Sequence, residues 1–316
     1  MIHTIIYIAA LFWGISSIAT EGFAQRRAAD QAPRIEPTLS NVSYGEHERH
    51  VLDFYKAESP SPTPLVLYIH GGGFVRGSKD TVNQGTLKQL LDAGISVAAI
   101  HYRLAGEVPL PAAHEDAQRA IQTLRSKADK WNVDKTQVGA FGGSSGAQLS
   151  MWLAYQDDQA DPESSDPIAR ESTRLAYVAP LNGQITNDFD WWLNNLPGYD
   201  ELHRDKAEIF GTNDKEKIAP IAEKISAINL ASADDPPTYM SYRMAPGDPI
   251  PEGDQATGWK VHHVSFGITL KKKLDALGVE NYLNYPNADS KYKSEAAFFI
   301  DKFGKQGPKD GDNLAP

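Results

Sequence analysis

Short apolar runs alternate with helix-like segments along most of this chain of 316 residues. The runs at residues 64–70 and 95–103 are almost continuously apolar, which is typical of strands buried in a parallel sheet, and a further strand is predicted at 136–142. The run at residues 50–57 alternates apolar and polar side chains, which predicts an exposed edge strand. Because helical patterns separate the strands, we predict an α/β fold with a mostly parallel central sheet and helices on both faces.

The first residues have the pattern of a secretory signal peptide. Residues 5–19 form an apolar run of 15 residues, which is short for a membrane span and suits a signal-peptide core. The small residues Gly22 and Ala24 provide a cleavage site before Gln25. We therefore predict a secreted or periplasmic protein with no membrane span in the mature chain; an uncleaved membrane anchor is the alternative. The predicted divisions are a signal peptide at 1–24, a flexible lead-in at 25–37, one α/β domain at 38–306 and a flexible tail at 307–316.

Charge and composition exclude several classes of function. The net charge is −10 and no basic run is present, so nucleic acid is not an expected partner. The absence of Cys excludes a thiol nucleophile, cysteine-ligated metals and disulfides. The sequence also lacks an HExxH motif, so a metal site is not expected, and it lacks a phosphate-binding P-loop. The oligomeric state is left open.

A nucleophile motif follows the strand at 136–142. Residues 142–146, Gly-Gly-Ser-Ser-Gly, fit the pattern G-x-S-x-G, in which glycines flank a serine on a sharp turn from strand to helix. The pattern makes Ser144 the candidate nucleophile. Ser145 is the alternative, although its flanking residues Gly143 and Ala147 fit the pattern less well.

A glycine-rich loop follows the earlier strand at 64–70. His70 is followed by Gly71, Gly72 and Gly73. Consecutive glycines allow backbone N–H groups to approach a substrate oxygen, as an oxyanion hole requires. A tight glycine turn without a catalytic role is the alternative.

Together these motifs resemble the α/β-hydrolase fold, and within it the HGGG-type esterase and lipase group that includes hormone-sensitive-lipase-like and feruloyl-esterase-like hydrolases. The stretches "PTPLVLYIHGGGFVRGSK" and "PAAHEDAQRAIQTLRSKADKWNVD" carry this resemblance, which spans about residues 38–304. It implies hydrolysis of carboxylic esters through an acyl-enzyme without a cofactor. It also implies that Ser144 is the nucleophile and that the N–H groups of Gly71, Gly72 and Ser145 form the oxyanion hole.

The resemblance also indicates the catalytic acid. In such hydrolases the acid follows the nucleophile in the chain and precedes the histidine. Asp248, in the stretch "GDPIP", matches it, with Glu252 and Asp254 as alternatives. Asp248 could instead only form an Asx-turn before Pro249.

The histidine that the family carries after its last strand is missing. The family's stretch resembles "YPGAGH", whereas this chain has "YPNADSKY", with Ser290 at the histidine position and no histidine after His263. We predict that His262 replaces it as the base, with His263, another histidine or a lost triad as alternatives. Neighbouring helical residues point some 100° apart, so His262 and His263 cannot both face the serine. His203 is interpreted as a surface residue.

An aromatic, irregular stretch at about residues 186–211 interrupts the strand–helix alternation and predicts a cap-like insertion, with ordinary helical packing as the alternative. Trp191 and Trp192 within it are candidate substrate-binding residues that could stack on a sugar. We therefore predict an exported serine carboxylesterase that acts on small or carbohydrate-linked carboxylic esters. The alternatives are a non-catalytic binding protein of hydrolase fold that has lost its triad histidine, and a peptidase of the same fold.

Overall fold

A computed structural model describes residues 34–304. These residues form one sheet of eight strands in the order β1-β2-β4-β3-β5-β6-β7-β8. The first two strands pair antiparallel to their neighbours, and all other pairs are parallel. The strands are β1 Leu39–Ser43, β2 Val51–Tyr55, β3 Thr63–Ile69, β4 Ser96–Ile100, β5 Val133–Gly143, β6 Tyr177–Leu181, β7 Thr238–Ser241 and β8 Asn281–Asn284. The predicted fold class, a mostly parallel sheet with helices, is confirmed.

Helices fill the crossovers between the parallel strands. They are α1 Gln84–Asp92, α2 Ala112–Ser126, α3 Ala128–Trp131, α4 Ser145–Tyr155, α5 Phe189–Asn195, α6 Ala207–Phe210, α7 Lys215–Ile225, α8 Ala227–Leu230, α9 Gln255–Val261, α10 Ser265–Leu277 and α11 Glu295–Gly304. Local sequence sets their ends: the Asn83 side chain accepts the Thr86 N–H at the start of α1, and Gly278 ends α10 at a φ of 75°. Every residue of α4 is buried, which explains its lack of a polar face.

The strand register brings the two glycine motifs together. β3 and β5 are hydrogen-bonded neighbours, and Ile69 lies opposite Gly142. The loop that begins at His70 and the turn at Ser144 therefore leave the same edge of the sheet side by side. In parallel α/β sheets this carboxyl-end edge is where ligands bind.

The predicted edge strand at 50–57 lies inside the sheet, which corrects the sequence-based expectation. β1 covers the outer side of β2, so β2 has neighbours on both sides. Its alternation results from Asp53, which is buried and paired with Lys79 Nζ at 2.7 Å rather than exposed to water. A buried ion pair therefore produced the same alternation of apolar and polar residues as a solvent-facing strand.

The predicted signal peptide at 1–24, most of the lead-in at 25–37 and the tail at 307–316 lie outside the described residues. Within residues 34–304, no helix is both long enough and apolar enough to cross a membrane. The predicted cap-like insertion at about 186–211 contains α5 and α6.

Candidate active site

Ser144 lies on a strained turn between β5 and α4. Its φ of 54° and ψ of −120° are sparsely populated for a residue with a side chain, and such strain persists only where the surroundings fix it. Gly142 and Gly146 provide this constraint, because a Cβ on either one would lie closer than 3.0 Å to the carbonyl oxygen of Ile69. The turn therefore needs glycine on both sides of the serine.

The neighbouring serine has a different environment. Ser145 is buried, and its Oγ lies 3.3 Å from Tyr102 Oη, which also donates to the carbonyl of His70 at 3.0 Å. Its hydroxyl is therefore engaged below the turn, whereas Ser144 lines the cavities described below. Of the two candidate nucleophiles, the geometry presents Ser144 to a ligand.

His262 lies beside the serine hydroxyl. Its Nε2 is 2.9 Å from Ser144 Oγ, and its Nδ1 is 2.8 Å from the carbonyl oxygen of Gly258. A carbonyl oxygen only accepts hydrogen bonds, so Nδ1 carries the proton and Nε2 of the neutral ring is the acceptor. This is the tautomer that a general base for Ser144 requires.

Local structure explains why Gly258 is the partner of His262. His262 caps the C-terminal end of α9, and its backbone N–H bonds to Trp259 rather than one residue further back. The carbonyl of Gly258 thus does not receive the His262 N–H that a regular α-helical turn would give it, and the imidazole binds it instead. A short helix end therefore orients the ring.

The surroundings keep His262 neutral. Burial lowers its pKa from the usual 6.5, the hydrogen bond to Gly258 opposes this effect, and the positive charge of Arg243 lowers the pKa further. A neutral imidazole is therefore available to accept a proton at neutral pH.

The adjacent histidine points elsewhere. His263 is buried, its Nδ1 lies 2.8 Å from Ser265 Oγ, and its ring packs against Trp259 at 4.5 Å between centroids. Burial lowers its pKa, and the negative charge of Asp248 partly opposes this shift. The two adjacent histidines thus face different environments, and His262 faces the serine.

Asp248 does not contact His262, which differs from the predicted triad. Asp248 is exposed, and its Oδ2 accepts the Ala245 N–H at 2.7 Å in a turn that the Asp248 N–H closes to the Ala245 carbonyl at 3.1 Å. Its side chain therefore stabilises its own turn, close to the alternative considered from the sequence. Ser290, at the family's histidine position, is buried and lines neither cavity at Ser144.

The glycine loop lies against the elbow. A Cβ on Gly71 would meet the Gly143 carbonyl at 2.6 Å, and Gly72 has a φ of 124° with the Arg76 carbonyl behind it. No hydrogen bond among residues 34–304 uses the N–H of Gly71 or Gly72. Both donors are therefore free to bind a substrate oxygen beside Ser144, as an oxyanion hole requires.

His70 holds this loop in place. It is fully buried, its Nδ1 donates to the Gly71 carbonyl at 2.8 Å, and its Nε2 accepts from Arg49 at 3.3 Å. Burial lowers its pKa to about 4, so it is neutral and uses both ring nitrogens as structural contacts. Tyr102 stacks on the ring at 4.2 Å.

Gln184 is a site residue that the sequence did not reveal. Its Nε2 donates to the Val261 carbonyl at 2.8 Å and lies 3.5 Å from Ser144 Oγ, and its Oε1 accepts from Gln148 at 3.0 Å. It therefore ties the end of α9 to the nucleophile. Its place three residues after β6, at the carboxyl edge of the sheet, was the available signal.

Two cavities meet at the Ser144–His262 pair. One has a volume of about 460 Å³ and the other about 600 Å³, and both are lined by Ser144, Gly258 and His262. The smaller cavity extends between the glycine loop and the stretch at 186–211. The serine thus stands in the middle of an open cleft, with room for a different part of a ligand on each side.

The two tryptophans predicted to bind substrate lie in different surroundings. Trp191 packs on Phe266 at 5.4 Å and lines neither cavity at Ser144. Trp192 lines the smaller cavity but is buried, with His203 stacked on its ring at 5.5 Å and its Nε1 donating to the Thr186 carbonyl. Phe266 lies against one ring and His203 against the other, and the role of the two tryptophans in substrate binding stays a prediction.

His203 was interpreted from the sequence as a surface residue, but it lines the smaller cavity. Its Nε2 accepts a hydrogen bond from Arg204 Nε at 3.0 Å. Burial lowers its pKa to about 4, with the positive charge of Arg204 adding to the effect. Within the described residues, no group of three or more His, Asp or Glu side chains is arranged to hold a metal ion.

Comparison with known proteins identifies the family of the chain. The sequence profile of the family BD-FAE matches residues 52–245, which is more than half of the chain. This match runs from the second residue of β2 through β7 and includes the glycine loop and the elbow, but it ends before α9 and His262.

Similar curated proteins carry esterase names. The chain is 32% identical over 123 residues to an ethyl acetate hydrolase of Pseudomonas putida, which is 37% of this chain and 39% of the relative. It is 39% identical over 94 residues to the esterase LipI of Mycobacterium tuberculosis, which is 29% of each protein. The chain therefore spans well under half of the length of these relatives.

Solved structures extend the comparison to the whole fold. A truncated carbohydrate esterase from gut microbiota matches with a TM-score of 0.68 at 22% identity, covering 87% of this chain and 99% of that one. An acetyl ester-xyloside bifunctional hydrolase from Caldicellulosiruptor lactoaceticus matches with a TM-score of 0.63 at 21% identity, covering 79% and 86%. The chain belongs to the BD-FAE family and has the α/β-hydrolase fold.

Proposed function

We propose that this protein hydrolyses carboxylic esters with Ser144 as the nucleophile and His262 as the general base. The observation that carries the proposal is the 2.9 Å contact between Ser144 Oγ and His262 Nε2, with Nδ1–H held by the Gly258 carbonyl. Nucleophile, base and orienting group then stand in hydrogen-bonding sequence. The esterase names of the relatives support the reaction class.

In the first half-reaction Ser144 Oγ attacks the ester carbonyl carbon while its proton moves to His262 Nε2. The carbonyl oxygen becomes an oxyanion and accepts from the N–H groups of Gly71, Gly72 and Ser145. The C–O bond to the alcohol then breaks, the alcohol takes the proton from the imidazolium, and an acyl-enzyme is left on Ser144.

In the second half-reaction water repeats the sequence. His262 takes a proton from water, the hydroxide attacks the acyl-enzyme, and Ser144 leaves with the proton as the carboxylic acid is released. The Gly258 carbonyl keeps the ring oriented throughout. As a neutral dipole it stabilises the imidazolium less than an aspartate does, so we propose a slower enzyme than one with a complete triad.

Small or carbohydrate-linked esters are the substrate class that we propose. The cleft is open on both sides of Ser144, and polar side chains such as Asn182, Gln148 and Gln255 line it. The two carbohydrate-active structures with the same fold support this class by analogy.

The test is hydrolysis of 4-nitrophenyl acetate by the full chain, together with labelling by a fluorophosphonate probe. We expect turnover and a single labelled peptide that contains Ser144, with both lost in Ser144→Ala. Ser165→Ala, an exposed serine outside the cleft, is the matched control and keeps both signals. Turnover and labelling at background in the wild type would favour the alternative, a hydrolase-fold binding protein without catalysis.

We further propose that the protein is exported. The apolar run at 5–19 and the small residues Gly22 and Ala24 support this proposal. Expression with the native N-terminus and N-terminal sequencing of the product tests it. A mature chain that begins at Gln25 outside the cytoplasm is expected, and an intact Met1 would contradict it.

A further inference from the structure

The cleft around Ser144 carries positive charge in an acidic protein. Arg76 and Arg204 line the smaller cavity and Arg243 lines the larger one, whereas the chain as a whole has a net charge of −10. Asp254 supplies the only carboxylate among the described residues that line these cavities. The walls of the cleft therefore have an excess of cationic groups.

These three arginines have no ion-pair partner among residues 34–304, as is also true of Arg49, Arg125 and Arg170 outside the cleft. Arg119 and Arg174 each pair with an aspartate on the surface, and Arg103 pairs with Asp116. Among the ion pairs of residues 34–304, none involves an arginine of the cleft. An unpaired guanidinium in a concave site attracts anionic ligands.

Arg204 is held in a fixed orientation. Its Nη1 donates to the Gly73 carbonyl at 2.7 Å and its Nε to His203 Nε2 at 3.0 Å. His203 is itself fixed, because its Nδ1 lies 2.7 Å from Tyr199 Oη and its ring stacks on Trp192. The guanidinium is thus pre-organised beside the glycine loop, with its second terminal nitrogen left for a ligand, which lowers the entropy lost on binding.

A buried donor in the same cavity also lacks an acceptor. Asn187 is 3% exposed, lines the smaller cavity, and its Nδ2 has no hydrogen-bond partner among the described residues. A buried donor that is left unsatisfied costs stability. The Asn187 Nδ2 is itself buried, so the donors that the cavity wall presents are the guanidinium groups of Arg76 and Arg204.

We propose that the smaller cavity binds a carboxylate of the ester substrate, so that the enzyme prefers esters carrying an anionic group near the scissile bond. A carboxylate accepts hydrogen bonds only, and its planar pair of oxygens suits a guanidinium group. The carboxylate belongs either to the acyl part, as in a half-ester of a dicarboxylic acid, or to the alcohol part, as in an acylated acid sugar. This inference rests on the proposed esterase function.

The test compares matched pairs of esters at low ionic strength. Mono-4-nitrophenyl glutarate against 4-nitrophenyl pentanoate places a carboxylate on the acyl side, and 4-acetoxybenzoate against methyl 4-acetoxybenzoate places it on the alcohol side. We expect wild-type kcat/KM to favour the anionic member of one pair, and the pair identifies the side. Arg204→Gln and Arg76→Gln each reduce that anionic-to-neutral ratio, by roughly tenfold for a charge-assisted contact.

The anionic-to-neutral ratio of kcat/KM separates recognition from structural damage. Arg204→Gln also removes a contact to the glycine loop, so it lowers kcat/KM for both esters. Arg76 is exposed and makes no ion pair, so Arg76→Gln leaves the hydrogen bonds of the loop intact. Arg170→Gln, an equal charge change at an exposed residue outside both cavities, is the matched control and keeps the wild-type ratio. Added NaCl lowers the preference of the wild type toward that of the variants.

Equal ratios in the wild type, Arg76→Gln and Arg204→Gln, with neutral esters still hydrolysed, would overturn the inference and leave the proposed function intact. If no ester is hydrolysed, the proposed function fails, and calorimetric titration with glutarate and with D-glucuronate decides the inference separately. Binding of either that weakens at least about tenfold in both arginine variants supports the carboxylate site. Absent binding, or equal affinity in all proteins, overturns it.

Discussion

The nucleophile and the histidine of the candidate site are held by two very different kinds of structure. Ser144 is enclosed by β3, β5 and α4, where the glycines at 142 and 146 pack against the backbone of Ile69 without space for one more carbon atom. His262 stands at the end of α9, a helix of seven residues of which only Val261 is buried. One side of the site is set by the sheet, and the other by a single helix end.

This difference shows which part of the catalytic geometry is rigid. Ser144 keeps its strained φ because buried, closely packed residues surround it. Its hydroxyl therefore has one position. The imidazole of His262 depends on the Gly258 carbonyl, the Ser144 hydroxyl and the Gln184 link to Val261. The sheet can therefore keep Ser144 in place while the position of α9, which carries His262, varies.

The largest effect is expected from removing the base. His262→Ala takes away the only imidazole that contacts Ser144 Oγ in the described part of the chain, so kcat/KM for 4-nitrophenyl acetate should fall by roughly 10⁴- to 10⁶-fold. Steady-state kinetics measure this loss, and a circular dichroism spectrum verifies the fold. His263→Asn is the control, because an asparagine amide can replace the Nδ1 contact to Ser265.

The control also decides between the two histidines. Activity of His263→Asn within a few-fold of the wild type agrees with the geometry. A large loss in His263→Asn with an active His262→Ala would mean that α9 rotates in solution and presents the other ring to the serine.

The next effect concerns stability, and the same substitution is expected to have opposite signs on the two sides of the site. In Gly146→Ala the new Cβ would meet the carbonyls of Ile69 and His70 closer than 3.0 Å, so unfolding should become easier by about 3 kcal/mol or more. In Gly258→Ala the Cβ meets nothing within 4 Å, and alanine favours the helix by about 1 kcal/mol. Urea denaturation measures both changes.

A Gly258→Ala protein that is destabilised as strongly as Gly146→Ala would remove the contrast. The end of α9 would then be as tightly constrained as the elbow, and the histidine side could no longer be described as loosely supported.

The sheet side is also the side that the sequence reveals. Apolar strands, the two glycine motifs and the identity of Ser144 follow from local patterns, because a sharp strand–helix turn and a close backbone approach each require glycine. These requirements act within a few residues of the chain. The position of β2 was predicted wrongly, since the pairing of Asp53 with Lys79 depends on a contact between distant residues.

The opposite side could be predicted only in part. His262 was selected because few histidines follow the elbow, but its partner Gly258 leaves no signature, because any residue type provides a backbone carbonyl. His203 and Arg204 were missed because a polar stretch predicts surface, whereas their burial results from packing on Trp192 and Gly73. Tertiary contacts of this kind are not encoded in local periodicity.

A smaller effect is expected at the residue that the resemblance proposed as the acid. Asp248→Asn keeps an oxygen that can accept the Ala245 N–H, and the residue makes no contact with His262. We therefore expect kcat/KM to fall by less than about tenfold, compared with about 10⁴-fold when a true triad aspartate is replaced by asparagine. A loss near the larger figure in ester hydrolysis would show that the turn at 245–248 moves to bring the carboxylate to His262.

The smallest effect tests how the cleft adjusts the base. Activity requires neutral His262, and both burial and Arg243 lower its pKa below 6.5, so wild-type kcat/KM should decline only as the pH falls through a value below 6.5. Arg243→Gln removes a charge that disfavours the imidazolium, so the pKa rises and the acid limb moves upward by roughly a few tenths of a pH unit. Arg243→Lys keeps the charge and should keep the acid limb of the wild type.

The pH profile is measured with a neutral ester, so that a loss of substrate attraction does not mimic a shift in the pKa. An unchanged acid limb of the pH profile in Arg243→Gln would mean that solvent screens His262 from the charge of Arg243. The end of α9 would then affect the base only by orienting its ring.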